Sequence, residues 1–345
     1  MRIVLAHPGP NFSVHDVFLG WAEGLRANGQ VVIPYNLDDR LTLYSSVYFN
    51  VSEGKFRRAL TNDQAIELAV NGLYSTLYKV VPDLLLVVSG FMIPAELLDH
   101  ARRYGTKVVL LHTESPYEDD RQVALAEHAD INILNDPVNL AKFPPGTYYQ
   151  PHSYRPVIHH PGPAEADLAA DLAFVGTGFA SRIALFEAMA DGGGLDGLDV
   201  LLAGNWQALA EDSVLHKYLG HPAGECLDND QAARIYRSAK VGLNLYRREH
   251  DDADDAAGWA IGPREVEMAA CGLPFLRDPR GEGDELFPDH LTFTGPGEAT
   301  EALRWWLEHP TQRQQAADAA RAAVADRTFT HAAGRLLEHV ERRNP

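Results

Sequence analysis

Arg264 and Glu267 stand three residues apart in the stretch Gly262-Pro-Arg-Glu-Val-Glu-Met-Ala-Ala-Cys-Gly-Leu-Pro-Phe-Leu-Arg277. On a helix that spacing puts both on one face, shared with Met268 and Cys271, while Val266, Ala269 and Ala270 share the other. Two chemistries fit. One is a solvated ion pair that contributes a few tenths of a kcal/mol. The other is a ligand cleft, in which Glu267 accepts hydrogen bonds from a sugar diol and Arg264 meets an anion. The spacing alone leaves both open.

The flanking residues define the element that carries this pair. Pro263 suits the first helical position, where its missing N–H would be unpaired anyway. Gly272 suits a left-handed helix end, and Pro274 blocks continuation. Leu273–Leu276 is then a compact apolar run, expected as a buried parallel strand.

A second group lies in Gly176-Thr177-Gly178-Phe-Ala-Ser181-Arg182. A dinucleotide fingerprint would need an acidic residue about 20 positions on, at the end of the next strand. That strand ends Leu-Leu-Ala-Gly-Asn205 with no carboxylate, which disfavours NAD. What remains is a turn feeding a helix N-terminus that favours an anion, strengthened by Arg182. The plain alternative is a tight turn with Ser181 as N-cap. Asn205 and Asn244 end strands at the carboxyl edge of a sheet, where open α/β folds bind ligands. Trp206 suits either stacking on a nucleobase or ordinary packing, and Lys240 either a solvated flank or a phosphate contact.

In the first half, Glu114 lies in the strand-ending His112-Thr-Glu-Ser-Pro-Tyr-Glu-Asp-Asp120, expected as a loop. It is the leading candidate for a base or an acceptor-hydroxyl ligand, against a solvated carboxylate cluster at a helix start. His15 and Asp16 are the second catalytic candidates, against capping or packing roles. The run His250-Asp-Asp-Ala-Asp-Asp255 contains Asp-x-Asp, set in a loop between α/β elements and expected as an acidic flap. No His-x-x-Glu-His or Cys-x-x-Cys spacing occurs, so no metal site is expected.

Pro263 to Pro274 resembles the Pro-Arg-x-x-Glu-x-Ala-x-Gly-x-Pro signature of group 1 nucleotide-sugar glycosyltransferases, closest to the branch typified by the spore-maturation protein CgeB. That resemblance implies that Glu267 holds the donor's ribose hydroxyls. Phe174-Val-Gly-x-Gly-x-x-Ser-Arg182, Leu202-Ala-Gly-Asn-Trp206, Ile235-Tyr236 with Lys240, and Leu243-Asn-Leu-Tyr246 are similar to the same branch. They place Gly176, Thr177, Gly178, Ser181, Arg182, Asn205, Trp206, Asn244, Tyr246, Arg264 and Glu267 around a nucleotide sugar. Relatives with a Glu-x7-Glu motif carry another glutamate where this chain has Trp259, which leaves the sugar and the stereochemistry open. The resemblance covers about Asp171 to His290.

Positioning these residues requires alternating strands and helices. The first half shows strands at Arg2–Ala6, Gln30–Tyr35, Leu84–Ser89, Lys107–His112 and Asp130–Leu134, with helices at Val14–Asn28 and Thr61–Lys79 and another ending at Gly105. Prolines and glycine between Gln150 and Ala169 mark a connection. The second half repeats the pattern with strands at Asp171–Val175, Leu198–Ala203, Val241–Leu245, Leu273–Leu276 and Leu291–Phe293. Helices are expected at Arg182–Ala190 and Asp228–Ser238, then at Thr300–His309, Thr311–Asp326 and Thr330–Arg343. The expected fold is α/β, with two Rossmann-like lobes and parallel sheets. An acceptor-side domain would span 1–155 and a donor-binding domain 170–325, with 326–345 as a terminal helix. The resemblance implies the GT-B architecture, with the C-terminal helices crossing back towards the first lobe and the donor in the cleft between lobes.

A length of 345 residues suits two lobes of roughly 150 residues each. With 48 acidic against 30 basic residues and a net charge of −18, extended nucleic-acid binding and an acidic membrane surface are disfavoured. Two cysteines, an N-terminal strand in place of a signal peptide, and no long apolar run argue for a cytoplasmic protein without membrane insertion. The leading expectation is a metal-independent glycosyltransferase. It would use a nucleotide diphosphate-sugar, UDP slightly ahead of GDP, as donor substrate with no other cofactor, and a glycan, protein or small-molecule hydroxyl as acceptor. A nucleotide-sugar epimerase on the same fold and a non-catalytic nucleotide-sugar-binding protein are the alternatives.

Overall fold

A computed structural model describes residues 1–7, 9, 12–52, 60–247 and 258–342. The chain divides into two compact units, Met1–Pro151 with Phe329–Pro345, and His152–Thr328. The acidic run His250–Asp255 lies outside the described residues.

The first unit contains β1 (Arg2–Ala6), α1 (Phe12–Ala27), β2 (Val31–Tyr35), α2 (Leu37–Ser52), α3 (Asn62–Val80), β3 (Leu84–Val88), α4 (Ala95–Arg103), β4 (Lys107–His112), α5 (Asp119–Ala126), β5 (Ile131–Leu134) and β6 (Tyr148–Tyr149). Its strands form one parallel sheet in the order β2-β1-β3-β4-β5-β6. All of Leu84–Val88 is buried, as the unbroken apolar run requires of a strand covered on both faces. Thr61 and Gln64 start α3 with a reciprocal capping box, at 3.2 Å to the Gln64 amide and 3.1 Å back to the Thr61 amide.

The second unit contains β7 (Ala170–Val175), α6 (Ala180–Asp191), β8 (Val200–Ala203), α7 (Asn229–Ser238), β9 (Ala239–Asn244), α8 (Pro263–Cys271), β10 (Phe275–Arg277), α9 (Gly281–Leu286), α10 (Pro296–Glu308) and α11 (Pro310–Ala323). Its four strands are parallel in the order β10-β9-β7-β8. The last helix, α12 (Phe329–Arg342), returns to the first unit. Its buried Phe329, Ala332, Ala333, Leu336 and Val340 form one stripe in the core that also holds Trp21 and Leu25 of α1. A side chain at Gly20 or Gly24 would collide with Phe329, so the two helices meet over glycine.

Three local expectations are corrected. Leu291–Phe293 is no strand but an isolated bridge between Thr292 and Arg277. β10 starts at Phe275 rather than Leu273, because Gly272 closes α8 in the left-handed region (φ 80) and Leu273 still bonds back to Met268. α6 is capped at Phe179, whose carbonyl accepts from both Arg182 and Ile183, so Ser181 lies inside the helix and is not its N-cap.

Candidate functional site

In each sheet the strand order reverses once, between β1 and β3 in the first unit and between β7 and β9 in the second. The carboxyl ends of strands beside such a reversal leave a crevice that open α/β folds use for ligands.

In the second unit Arg264, in the first turn of α8, spans this reversal. Its Nε donates to the carbonyl of Val175 at the end of β7 (2.6 Å), and its Nη1 to Asn244 Oδ1 at the end of β9 (2.5 Å). The guanidinium lies 5.0 Å from the centre of the Phe174 ring and is hydrogen-bonded to the Tyr236 hydroxyl. A Cβ at Gly176 would come within 2.5 Å of Arg264 Nη2, so the first glycine of the turn makes room for the arginine. Asn244 is 1% exposed, and its Nδ2 is buried with no hydrogen-bond partner among the described residues.

Glu267 follows one turn later and keeps partial exposure, unlike most of its helix. Its Oε1 accepts from Asn229 Nδ2 at 3.2 Å. Its neighbours on the same face, Met268 and Cys271, are buried, as are Val266, Ala269 and Ala270 on the other. His159 was not singled out in the sequence. It is 1% exposed, neither ring nitrogen has a partner among the described residues, and one lies within 4.8 Å of a Glu267 carboxylate oxygen. Burial, with Arg155 and Arg237 nearby, pushes its pKa down to about 3, which keeps the ring neutral.

The glycine turn is built differently from the expectation. Arg182, expected beside an anion, is 6% exposed. It donates Nε and Nη2 to the Leu245 carbonyl (3.1 and 2.9 Å) and Nη1 to the Thr177 carbonyl (2.9 Å). It therefore staples the turn to the end of β9. Trp206, expected against a base, is fully buried between Phe174 and Phe186 and donates Nε1 to the Ala203 carbonyl at 3.1 Å. A Cβ at Gly178 would meet its indole at 2.5 Å, so the second glycine accommodates a core residue. Gly204, at φ 103, packs so closely on the Gly176 backbone that only glycine fits. Asn205 is half-buried and accepts from the Gln207 amide at 3.0 Å. Arg247, another residue the sequence did not flag, is exposed with its guanidinium 4.9 Å from the centre of the Phe179 ring, at the cap of α6.

Tyr246 turns inward. Its hydroxyl donates to the fully buried Glu265, whose Oε2 also accepts from the Gly262 amide (2.8 Å) at the start of α8. Burial pushes the Glu265 pKa up to about 7, against the pull of those hydrogen bonds. Lys240 pairs with Asp171 at 2.6 Å, the solvated-flank role. Trp259, where relatives carry glutamate, lies against the start of α9, and a side chain at Gly281 would collide with its indole.

In the first unit, His15 and Asp16 are half-buried neighbours on α1. His15 Nδ1 lies 3.2 Å from Nε2 of His7, a fully buried residue just past β1 that the sequence did not flag as functional. Glu114, half-buried beyond β4, has its amide held by Gln122 Oε1 at 3.1 Å. The acidic run after it is not all loop, because Asp119 and Asp120 form the first turn of α5. His112 is buried, with Nε2 on Asn132 Oδ1 at 2.9 Å, and burial lowers its pKa to about 4.

Comparison with known proteins bears on this arrangement. Residues 182–338 match a family model described as glycosyl transferase-like. Among solved structures it is similar to sucrose-phosphate synthase from Thermosynechococcus elongatus, with a TM-score of 0.65 at 14% identity, covering 99% of this chain and 98% of that one. The trehalose-6-phosphate synthase OtsA gives a TM-score of 0.66 at 12% identity, with 99% of both chains covered. HepE from Anabaena, solved in complex with UDP-glucose, gives 0.63 at 13% identity, covering 98% of this chain and 100% of that one. No curated protein sequence matches the chain. The fold is thus the two-lobed, parallel-sheet α/β architecture of GT-B glycosyltransferases. Among the described residues, no helix is long and apolar enough to cross a membrane.

Proposed function

We propose that the protein is a glycosyltransferase whose second unit binds a nucleotide diphosphate-sugar and passes the sugar to an acceptor hydroxyl. The observation that carries this reading is the half-exposed carboxylate of Glu267, one helical turn beyond an arginine that bridges the strand reversal. A carboxylate there accepts two hydrogen bonds from a ribose diol, and the Asn229 amide holds it in place. UDP is the preferred nucleotide, in line with the HepE complex.

Breaking the glycosidic bond places negative charge on the departing diphosphate, so catalysis requires positive potential fixed beforehand. The positive end of the α6 dipole supplies part of it. Exposed Arg247 stands beside them, and Arg264 contributes charge through space while its nitrogens hold the scaffold. In this reading the first unit receives the acceptor, with Glu114 or Asp16 taking its proton. At motif level the reading also draws on the resemblance of Pro263–Pro274 to the CgeB-like branch.

The test is incubation with UDP- and GDP-sugars, following nucleotide release with and without candidate acceptors. Acceptor-dependent release supports transfer. Donor turnover without glycoside indicates an epimerase, and tight binding without turnover a binding protein. Glu267→Ala is expected to weaken UDP-sugar binding about 100-fold, the loss of charge-assisted hydrogen bonds, with the melting temperature unchanged. Unchanged calorimetric affinity would remove Glu267 from the site.

A further inference from the structure

We propose that His7 locks His15 into the tautomer whose Nε2 carries the proton, making His15 a hydrogen-bond donor to ligand oxygen and not a general base.

The argument runs through hydrogen positions that heavy atoms impose. The Gly9 amide lies 3.1 Å from His7 Nδ1 and can only donate, so that nitrogen offers a lone pair. A neutral imidazole with a bare Nδ1 carries its hydrogen on Nε2. That N–H points at His15 Nδ1, 3.2 Å away, which must therefore accept. The remaining hydrogen of neutral His15 then sits on its Nε2. The opposite assignment would set two N–H groups head to head, either at Gly9 or between the rings.

The donor that starts this chain is itself fixed. Gly9 has φ 112, and a side chain there would collide with Met92, so only glycine places this amide under His7. His7 is fully buried, with the edge-to-face ring of Phe18 at 5.0 Å between centres. Burial and the neighbouring His15, opposed by Asp39 of α2, lower its pKa to about 4, so it stays neutral at physiological pH.

The location matches a ligand role. His7 and Gly9 follow β1 at the reversal between β1 and β3, the crevice-forming edge of the first sheet. His15 keeps partial exposure while its partner is sealed. A neutral Nε2–H held in place suits an oxygen that gains or carries negative charge. His7 is then a positioning residue. The base role expected of His15 passes to the carboxylates, Asp16 or Glu114. The catalytic part of this inference rests on the transferase reading, whereas the tautomer does not.

Two measurements test it on the full chain. In long-range proton–nitrogen spectra of ¹⁵N-histidine protein, with His15 assigned through a His15→Gln variant, the inference expects His15 as the Nε2–H tautomer. It also expects His7→Phe to release that lock, so that His15 shows a mixture of both tautomers. An Nδ1–H tautomer in the parent, or a tautomer population of His15 indifferent to His7→Phe, overturns it. In nucleotide-release assays, His15→Gln keeps a donor at the same reach and is expected to stay within about 10-fold of the parent. His15→Ala is expected to lose about 100-fold. Equal losses in both variants would restore the base role. A parent that turns over no nucleotide sugar refutes the transferase reading and its catalytic corollary, and the spectra still decide the tautomer.

Discussion

The two strand reversals share a topology and carry opposite equipment. Beside β1 and β3 the polar groups are a chain of neutral donors and acceptors, Gly9 to His7 to His15. Beside β7 and β9 a guanidinium ties the two strand ends together, and the half-exposed Glu267 carboxylate, held by the Asn229 amide, follows one turn on. The first arrangement orients a proton without introducing a formal charge. The second builds a charged floor. Topology therefore sets where a site forms, and the residues within the first turns after each strand set which chemistry it offers. Burial acts alike at both. It drives His7 and Glu265 towards their neutral forms, one by lowering and one by raising the pKa.

The comparison can be broken at several points. The largest effect belongs to Trp206, which the geometry makes part of the wall behind the second edge. Trp206→Ala is expected to cost about 3–5 kcal/mol in urea unfolding, whereas Trp206→Phe should largely fold and leave UDP affinity unchanged. Loss of affinity in a folded Trp206→Phe protein would return the indole to the base-stacking role.

Next comes the opposed titration of the two edges. The Glu265 pKa rises from 4.5 to about 7 on folding, so the folded state holds that proton more tightly. Its stabilisation is complete below the unfolded value and is lost as pH rises through about 7, an effect of about 3 kcal/mol. The stability difference between the parent and Glu265→Gln should shrink by that amount from pH 4.5 to 8. His7 has the reverse sign. Its pKa falls from 6.5 to about 4, so stability is complete above 6.5 and is lost as pH drops towards 4. His7→Gln should flatten the acid limb only. Parallel trends in the two variants would contradict the assignment.

The smallest effect sits at Arg247. Exposed beside the cap of α6, it should contribute about 1 kcal/mol to diphosphate binding, near fivefold in Kd, declining with added salt. Salt-independent affinity in Arg247→Ala relative to the parent would place the diphosphate elsewhere.

Much of this was legible in the amino-acid order. The unbroken apolar run Leu84–Val88, the Thr61 cap and the Pro263–Gly272 helix limits are local signals, because propensity and capping act over a few residues. The Glu267 and Arg264 pair was visible for the same reason. His159 and His7 were not, since an isolated histidine in sequence gives no sign of which strand end or carboxylate it will meet. Arg182 and Trp206 misled in the other direction. Their positions beside a glycine turn suggested ligand contacts, while their hydrogen bonds run to Leu245, Thr177 and Ala203 within the scaffold.

The sequence by itself determined the alternation of elements, the helix limits around Glu267 and the acidic balance, all set by short-range periodicity and composition. Only the tertiary structure decided which charged groups hold the scaffold and which remain for a ligand. It also decided which nitrogen of His15 bears the proton. Those outcomes depend on which strand ends become neighbours, and on whether a backbone amide or carbonyl from elsewhere in the chain reaches the side chain first.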